Sequence, residues 1–324
     1  MKFRKGKIKI LILTFLLIKL SSNCIYAIEL NNKKIEKEKE ILVNNKIKIG
    51  EILFNDKLLS LNKTQSCASC HNPKNSYTDK TAKSLGFDNK ILKRNTPTIY
   101  NVALYDVFFW DGRTSSIYEA TLSPILERNE MNMTINELEN RVNSSTVYKK
   151  LFQKVYKKDK ITIKEIINCL IYFQKSLIRN NSNFDRFIEG DTDAISKSAY
   201  AGYLLFKGKA KCINCHDGKN FTDNSFHNIG VKTSDFGRAN INLDKDYNMS
   251  FRVPTLKNIS MTAPYMHNGS INTLEQVIDF YDRGGDVKYK NLSSEITTLK
   301  LNNLEKKQII EFLKTLNNEF LLPK

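Results

Sequence analysis

Cys67-Ala68-Ser69-Cys70-His71 and Cys212-Ile213-Asn214-Cys215-His216 are two copies of one five-residue pattern. Together they use four of the six cysteines and two of the four histidines in the chain. Two thiols three positions apart can each add to one vinyl group of a single porphyrin. The adjacent histidine then offers the iron its proximal nitrogen, and this is the attachment signature of haem c. A zinc site would call for further paired Cys/His ligands. A dithiol redox site would not explain a histidine following the second cysteine twice. The chemistry expected is therefore that of two covalently bound haem c groups.

The elements that must position these turns form an internal repeat. Gly50, Leu53-Phe54, the first pattern and Tyr77-Thr78-Asp79 match Gly202, Leu205-Phe206, the second pattern and Phe221-Thr222-Asp223. Further on, Pro97-Thr98-x-x-Asn101 matches Pro254-Thr255-x-x-Asn258, and Trp110-Asp111-Gly112 matches His267-Asn268-Gly269. The unit reads as a single-haem cytochrome c domain used twice. Apolar periodicity predicts helices over Lys46–Leu59, Thr134–Val142, Ile163–Ile178, Ser196–Phe206 and Thr273–Tyr281, and few stretches alternate with period two. A further helix opens near Ser116 and is expected to break at Ser123-Pro124, and Ile28–Lys46 reads as a charged helix or tether. The fold class expected is mostly α, as two tandem cytochrome c-like domains over 28–185 and 186–324.

Twelve residues past the aligned glycines stand Pro124 in the first half and Tyr281 in the second. If that position faces the iron opposite the histidine, Tyr281 can ligate and Pro124 has no donor atom. One iron would be capped by a phenolate and the other left open to a small oxidant.

Of the remaining candidates, His267 reads as a hydrogen-bonding residue near the second haem and His227 as structural or propionate-binding. Cys169, in an Ile/Leu-rich stretch, reads as a small buried hydrophobe. Met266, in an aromatic loop, reads as packing, and Met261 remains open as a soft iron ligand.

Composition bounds the rest. The 324 residues carry a formal charge of +17, of which six basic side chains and no acid fall in residues 1–27, leaving 17 − 6 = +11. Lysine is spread without a basic stripe and reads as a solvated surface, so nucleic acid is not expected as a partner, and electrostatic steering of an acidic partner stays open. Residues 1–27 read as a signal peptide, with a basic start, the apolar run Ile8–Leu20 and a polar stretch to Ala27. The expected location is periplasmic. A competing reading makes Cys24 a lipid-modified first residue, which Asn23 before it disfavours.

From about Ile47 to its end the chain resembles the bacterial dihaem cytochrome c peroxidase family, including its MauG-type branch. The resemblance rests on Leu53-Phe54-x-Asp56, Arg94-Asn95-x-Pro97-Thr98, Phe109-Trp110-Asp111-Gly112-Arg113 and Asn129-Glu130-Met131. In the second half it rests on Phe226-His227-Asn228-Ile229-Gly230, Phe251–Leu256 and Thr262–Ser270. It implies a peroxidase that reduces hydrogen peroxide to water with electrons from a small cytochrome c or cupredoxin, or else an oxidase acting on side chains of a partner protein. It implies Trp110 as a relay between the haems, Glu130 as the distal acid that shuttles a proton between the peroxide oxygens, and one calcium ion held by Asn95, Thr262 and Pro264. A homodimer stands open. Three departures matter. Thr78–Lys93 holds no histidine to cap the first iron, Tyr281 replaces the family's methionine, and Ala120 stands where glutamine is common.

Overall fold

The computed structural model describes residues 32–318. The signal-peptide reading and Cys24 lie outside the described residues. Among the described residues, no helix is long and apolar enough to cross a membrane.

The chain is mostly helical. Helix α1 spans 32–55. A single turn, α2 (Cys67–Cys70), precedes α3 (Ile117–Leu126), α4 (Ile135–Ser144), α5 (Thr146–Tyr156) and α6 (Ile163–Ser176). The second half holds α7 (Asn183–Ile188), α8 (Lys197–Lys207), the turn α9 (Ala239–Asn242), α10 (Leu274–Asp282) and α11 (Asn303–Lys314). Two-residue strands β1 (Phe226–His227) and β2 (Phe251–Arg252) pair antiparallel. One hydrophobic cluster gathers Leu53, Phe54, Phe152, Ile166 and Phe173 and ends at Leu177. A second begins at Phe184 and gathers Phe206, Phe280, Phe312 and Leu316.

Several expectations are corrected in detail. The expected helix at Lys46–Leu59 is the buried end of the longer α1, whose exposed, charged first turns continue the same helix; it stops at Asn55 and a 3₁₀ turn covers Lys57–Leu59. Pro124 does not break α3, which runs two residues further to Leu126. A proline this far into a helix loses its own N–H bond and crowds the carbonyl four residues back, and α3 ends within one turn of it. Sequence reading passed over α5 and α11. Yet α11 begins with a reciprocal cap between Asn302 and Glu305 and buries Ile309, Ile310, Phe312 and Leu313.

The two repeat glycines have one job. A Cβ on Gly50 would stand 2.0 Å from the Cys169 carbonyl oxygen, so α1 and α6 cross in backbone contact. A Cβ on Gly202 would stand 1.9 Å from the Gln308 carbonyl oxygen, where α8 crosses α11. Backbone cannot rotate away as a side chain can. Gly202→Ala is expected to lose about 1–3 kcal/mol through overpacking, outweighing the roughly 0.5–1 kcal/mol that alanine gains in a helix. Urea unfolding checks this, and an unshifted midpoint would show that the crossing can loosen without loss.

Candidate functional site

The two Cys-x-x-Cys-His segments differ in turn type, an α-helical turn at Cys67–Cys70 and a 3₁₀ turn at Cys212–Asn214, but share the hydrogen bonds that set the histidine. His71 N–H donates to the Cys67 carbonyl at 2.9 Å, and His216 N–H to the Cys212 carbonyl at 2.9 Å. The histidine ring then turns back on its own loop. His71 Nδ1 lies 3.2 Å from the Tyr77 carbonyl, and His216 Nδ1 lies 3.0 Å from the Phe221 carbonyl. A carbonyl only accepts, so Nδ1 carries the proton in both and the Nε2 lone pair is left to ligate. Tyr77 and Phe221 both take positive φ, 57° and 51°. Thr98 Oγ1 donates to the Ser76 carbonyl at 2.7 Å, and Thr255 Oγ1 to the Asn220 carbonyl at 2.6 Å. Asn101 and Asn258, both left-handed, donate their N–H to Leu177 and Leu316 at 3.0 and 3.1 Å. The repeat therefore extends from sequence to individual hydrogen bonds.

None of the four cysteines of the two turns is paired in a disulfide. Burial pushes Cys67 and Cys212 up to about 12, and Cys70 and Cys215 up to about 11. A metal-binding thiolate needs the opposite environment. No group of three or more His, Cys, Asp or Glu among the described residues is placed to share a metal ion. Uncharged thiols on apolar walls with an oriented histidine suit a porphyrin.

The second turn opens onto a large apolar cavity. Cys212, Cys215 and His216 line it, and so does Tyr281, carried by α10. Tyr281 is half-buried, and its hydroxyl makes no hydrogen bond to a described residue. Burial, with Cys212 and Cys215 nearby, pushes its phenol up. The competing candidates are engaged elsewhere. His267 stacks on Phe251 with ring centres 3.6 Å apart, and its Nε2 meets Thr233 Oγ1 at 3.1 Å. Burial pulls it down to about 4, so it is neutral. His227 has both nitrogens bonded, Nε2 to Ser225 Oγ at 2.8 Å and Nδ1 to Ser293 Oγ at 3.1 Å.

Trp110 lines the same cavity from the first half. Its Nε1–H donates to the Asn95 carbonyl at 2.9 Å, and its own carbonyl accepts Arg252 N–H at 2.8 Å. Asn95 N–H in turn reaches the His267 carbonyl at 2.8 Å. Beside it Arg94 bridges Asp111 at 2.6 Å and Asp235 at 2.7 Å. Burial opposes the charge on Asp235, but the Arg94 guanidinium and the Gly237 N–H hold its carboxyl below the ordinary value. Sequence reading missed Asp235; it stands 141 residues from Arg94, and no local spacing could signal the pair. Asn95, Thr262 and Pro264 line one cavity. Asn95 Nδ2 donates to the Thr81 carbonyl at 2.9 Å, while its Oδ1 accepts from no described residue. A neutral oxygen set of this kind fits a hard cation such as calcium.

Glu130 is set by a tightly pinned loop. Met131 and Met133 anchor it in the first core, and their N–H groups donate to Pro124 and Ile125 at 3.2 and 2.9 Å. Burial pushes the Glu130 carboxyl up, Arg113 draws it back and Glu127 adds to the rise. The Glu130 charge is also the smallest of the causes that push the Cys70 thiol up, after burial and Asp79.

The di-haem cytochrome c peroxidase family matches residues 44–193, and a RoxA-like, cytochrome c-like family matches residues 250–285. Methylamine utilization protein MauG of Methylorubrum extorquens is 36% identical over 282 residues, covering 86% of this chain and 80% of that protein. Cytochrome c551 peroxidase of Nitrosomonas europaea is 33% identical over 325 residues, covering 96% and 94%. A solved MauG-like protein associated with microbial copper homeostasis superposes with a TM-score of 0.81 at 28% identity, covering 85% of this chain and 90% of that one. With two matching Cys-x-x-Cys-His turns, and relatives that span most of its length, the chain belongs to the di-haem cytochrome c peroxidase family and is an oxidoreductase of that type.

Proposed function

We propose that this protein is an exported, dihaem c-type peroxidase that reduces hydrogen peroxide to water with electrons from a small redox protein. The observation that carries it is an asymmetry. Two turns share their histidine hydrogen bonds, and Tyr281 lines the cavity of the second, while Pro124 stands at the matching sequence position of the first half. Two haem c groups, when bound, supply the iron that takes peroxide and the redox couple that passes electrons. Cys67 with Cys70, and Cys212 with Cys215, would hold them covalently, and His71 and His216 would present Nε2. Tyr281 would occupy the far side in the second half. Pro124, with no donor atom, would leave the first half open for substrate.

The protein's own groups then divide the remaining work. Glu130, with its carboxyl pushed up by burial, can hold a proton and return it. It would take one from the inner peroxide oxygen and deliver it to the outer, so that water is the leaving group. Trp110 lines the second cavity while its N–H is tied to the Asn95 carbonyl, which fixes its ring as a relay between the halves. Asn95, Thr262 and Pro264 would hold one calcium ion beside that relay.

No histidine stands between Thr78 and Lys93 to block the first site. The fully ferric enzyme is therefore expected to react with peroxide without prior reduction. Stopped-flow mixing is the check, and a Soret band that stays still until one haem is reduced would sink this reading. A second reading, a MauG-like oxidase of partner-protein side chains, is favoured by Tyr281 and by 36% identity to MauG. A new cross-link or oxidised side chain in a candidate partner would select it.

A further inference from the structure

Two neighbouring residues of the first half, Tyr100 and Asn101, touch the loops that hold both histidines. The Tyr100 ring stands edge-on to Tyr77 with centres 5.0 Å apart, and the Tyr77 carbonyl is the partner of His71. Asn101 Nδ2 donates to Asn220 Oδ1 at 3.2 Å, across 119 residues of sequence, and both side chains are buried. Asn220 directly precedes Phe221, whose carbonyl is the partner of His216. The backbone forces which way these amides face. Asn101 Oδ1 accepts Arg179 N–H at 2.6 Å and Nδ2 donates to the Arg179 carbonyl at 3.0 Å, so Nδ2 is the atom left to offer the second half. Asn220 answers with Oδ1, which also accepts Thr255 Oγ1 at 3.1 Å. Asn220 Nδ2 is then buried with no described partner. An unpaired buried donor costs stability, so an amide is a poor choice here for packing alone. The site uses its acceptor oxygen.

The repeat itself does not require this link. Ser76 stands in the first half where Asn220 stands in the second, because its carbonyl accepts the matching threonine, Thr98 against Thr255. Serine has the shorter side chain, and the first loop is built with it. Asn258, the counterpart of Asn101, keeps the same grip on the chain, since its Oδ1 accepts Asn318 N–H at 2.8 Å. Its Nδ2 reaches no described residue. The bridge between the halves is therefore made once, by the first half, on the loop of the second histidine.

We infer that Asn101 and Asn220 are positioning residues that make the seat of the second histidine depend on the first half. The inference rests on His216 as the proximal ligand of a haem and holds for either catalytic reading. An Nδ1–H held on a carbonyl fixes the imidazole ring and makes Nε2 a stronger donor, and hydrogen bonding around a ligand is one lever on an iron's potential. Without the bridge the Asn220–Phe221 peptide is freer, the bond to Nδ1 weakens and the ferric state loses support. The effect falls on the second haem, because Tyr77 and His71 keep their own contacts.

The experiment uses the holoenzyme and Asn220→Ser, which installs the residue that the first half carries at this position. Both midpoint potentials are read in a redox titration followed by absorption, and the ferric irons by electron paramagnetic resonance. The second haem's midpoint is expected to rise and its ferric signal to broaden as the ring orientation spreads, while the first haem's midpoint stays in place. Asn101→Ala should act on the second haem in the same direction. The double variant should move it no further than Asn220→Ser alone, since both changes remove one bond. Hydrogen exchange across residues 217–223 should quicken in each variant. A lower melting temperature with both midpoints unmoved overturns the inference, because the pair would then serve packing only. Equal movement of both midpoints overturns it as well. A wild type that carries a single haem c counts against His216 as a ligand, while the exchange rates still decide whether the bridge seats the loop.

Discussion

Glu130→Gln is expected to keep both haems and lose about 100- to 10,000-fold of peroxide turnover, the range that general acid–base catalysis supplies. The expectation rests on where the carboxyl is held. Its loop is fastened to the end of α3 by Met131 and Met133, both buried, so the side chain cannot swing out into solvent at no cost. Burial raises its proton affinity, with Arg113 drawing it back. A carboxyl whose proton affinity is raised by burial is better able to hold a proton and give it back. Glutamine preserves the shape and hydrogen-bonding reach but cannot exchange the proton, so the substitution isolates the chemistry. The loss corresponds to roughly 3–5 kcal/mol of barrier. Steady-state turnover and single-turnover mixing with peroxide measure it. A variant within about twofold of wild type would assign Glu130 to the solvated loop.

Tyr281→Phe is expected to leave the second haem covalently attached and to change its spectrum to high-spin or to a new ligand set. The position is built, not incidental. Thr273 and Gln276 cap the start of α10 reciprocally, and Phe280, fully buried, anchors its end. The chain then turns sharply through Gly284 and Gly285, whose φ values of 77° and 84° suit glycine. Gly284 N–H returns to the Tyr281 carbonyl at 3.0 Å, which holds the last turn of the helix beside the cavity. The hydroxyl has no described protein partner, and the thiols of Cys212 and Cys215 are near enough to act on it. Burial alone keeps the phenol protonated, but a bound ferric ion favours the phenolate strongly. An anionic oxygen ligand stabilises ferric iron, so the wild-type second haem should have a lower potential than a methionine-ligated one. Electron paramagnetic resonance of the resting protein and a redox titration are the measurements. Unchanged signals for both haems in the variant would make Met266 the next candidate, since His267 and His227 already have their partners.

The sequence by itself determined what is local or repeated. A covalent attachment signature needs only five consecutive residues, so both turns were legible without any fold. The repeat carried the comparison further. Counting from Gly112 and Gly269 singled out Tyr281 against Pro124, because two copies of one unit place equivalent residues equivalently. Helical periodicity marked α4, α6, α8 and α10, whose apolar faces are continuous. What only the tertiary structure decided depends on partners distant in sequence. Arg94 meets Asp235 across 141 residues, and α11 crosses α8 at Gly202 because a carbonyl fits where a side chain cannot. The same holds for the two spare histidines. Each has an ordinary ring that could ligate, and it is Phe251 and Thr233 around His267, and Ser225 and Ser293 around His227, that engage them. A pattern in the chain states which atoms are available. Packing alone states which of them are already taken.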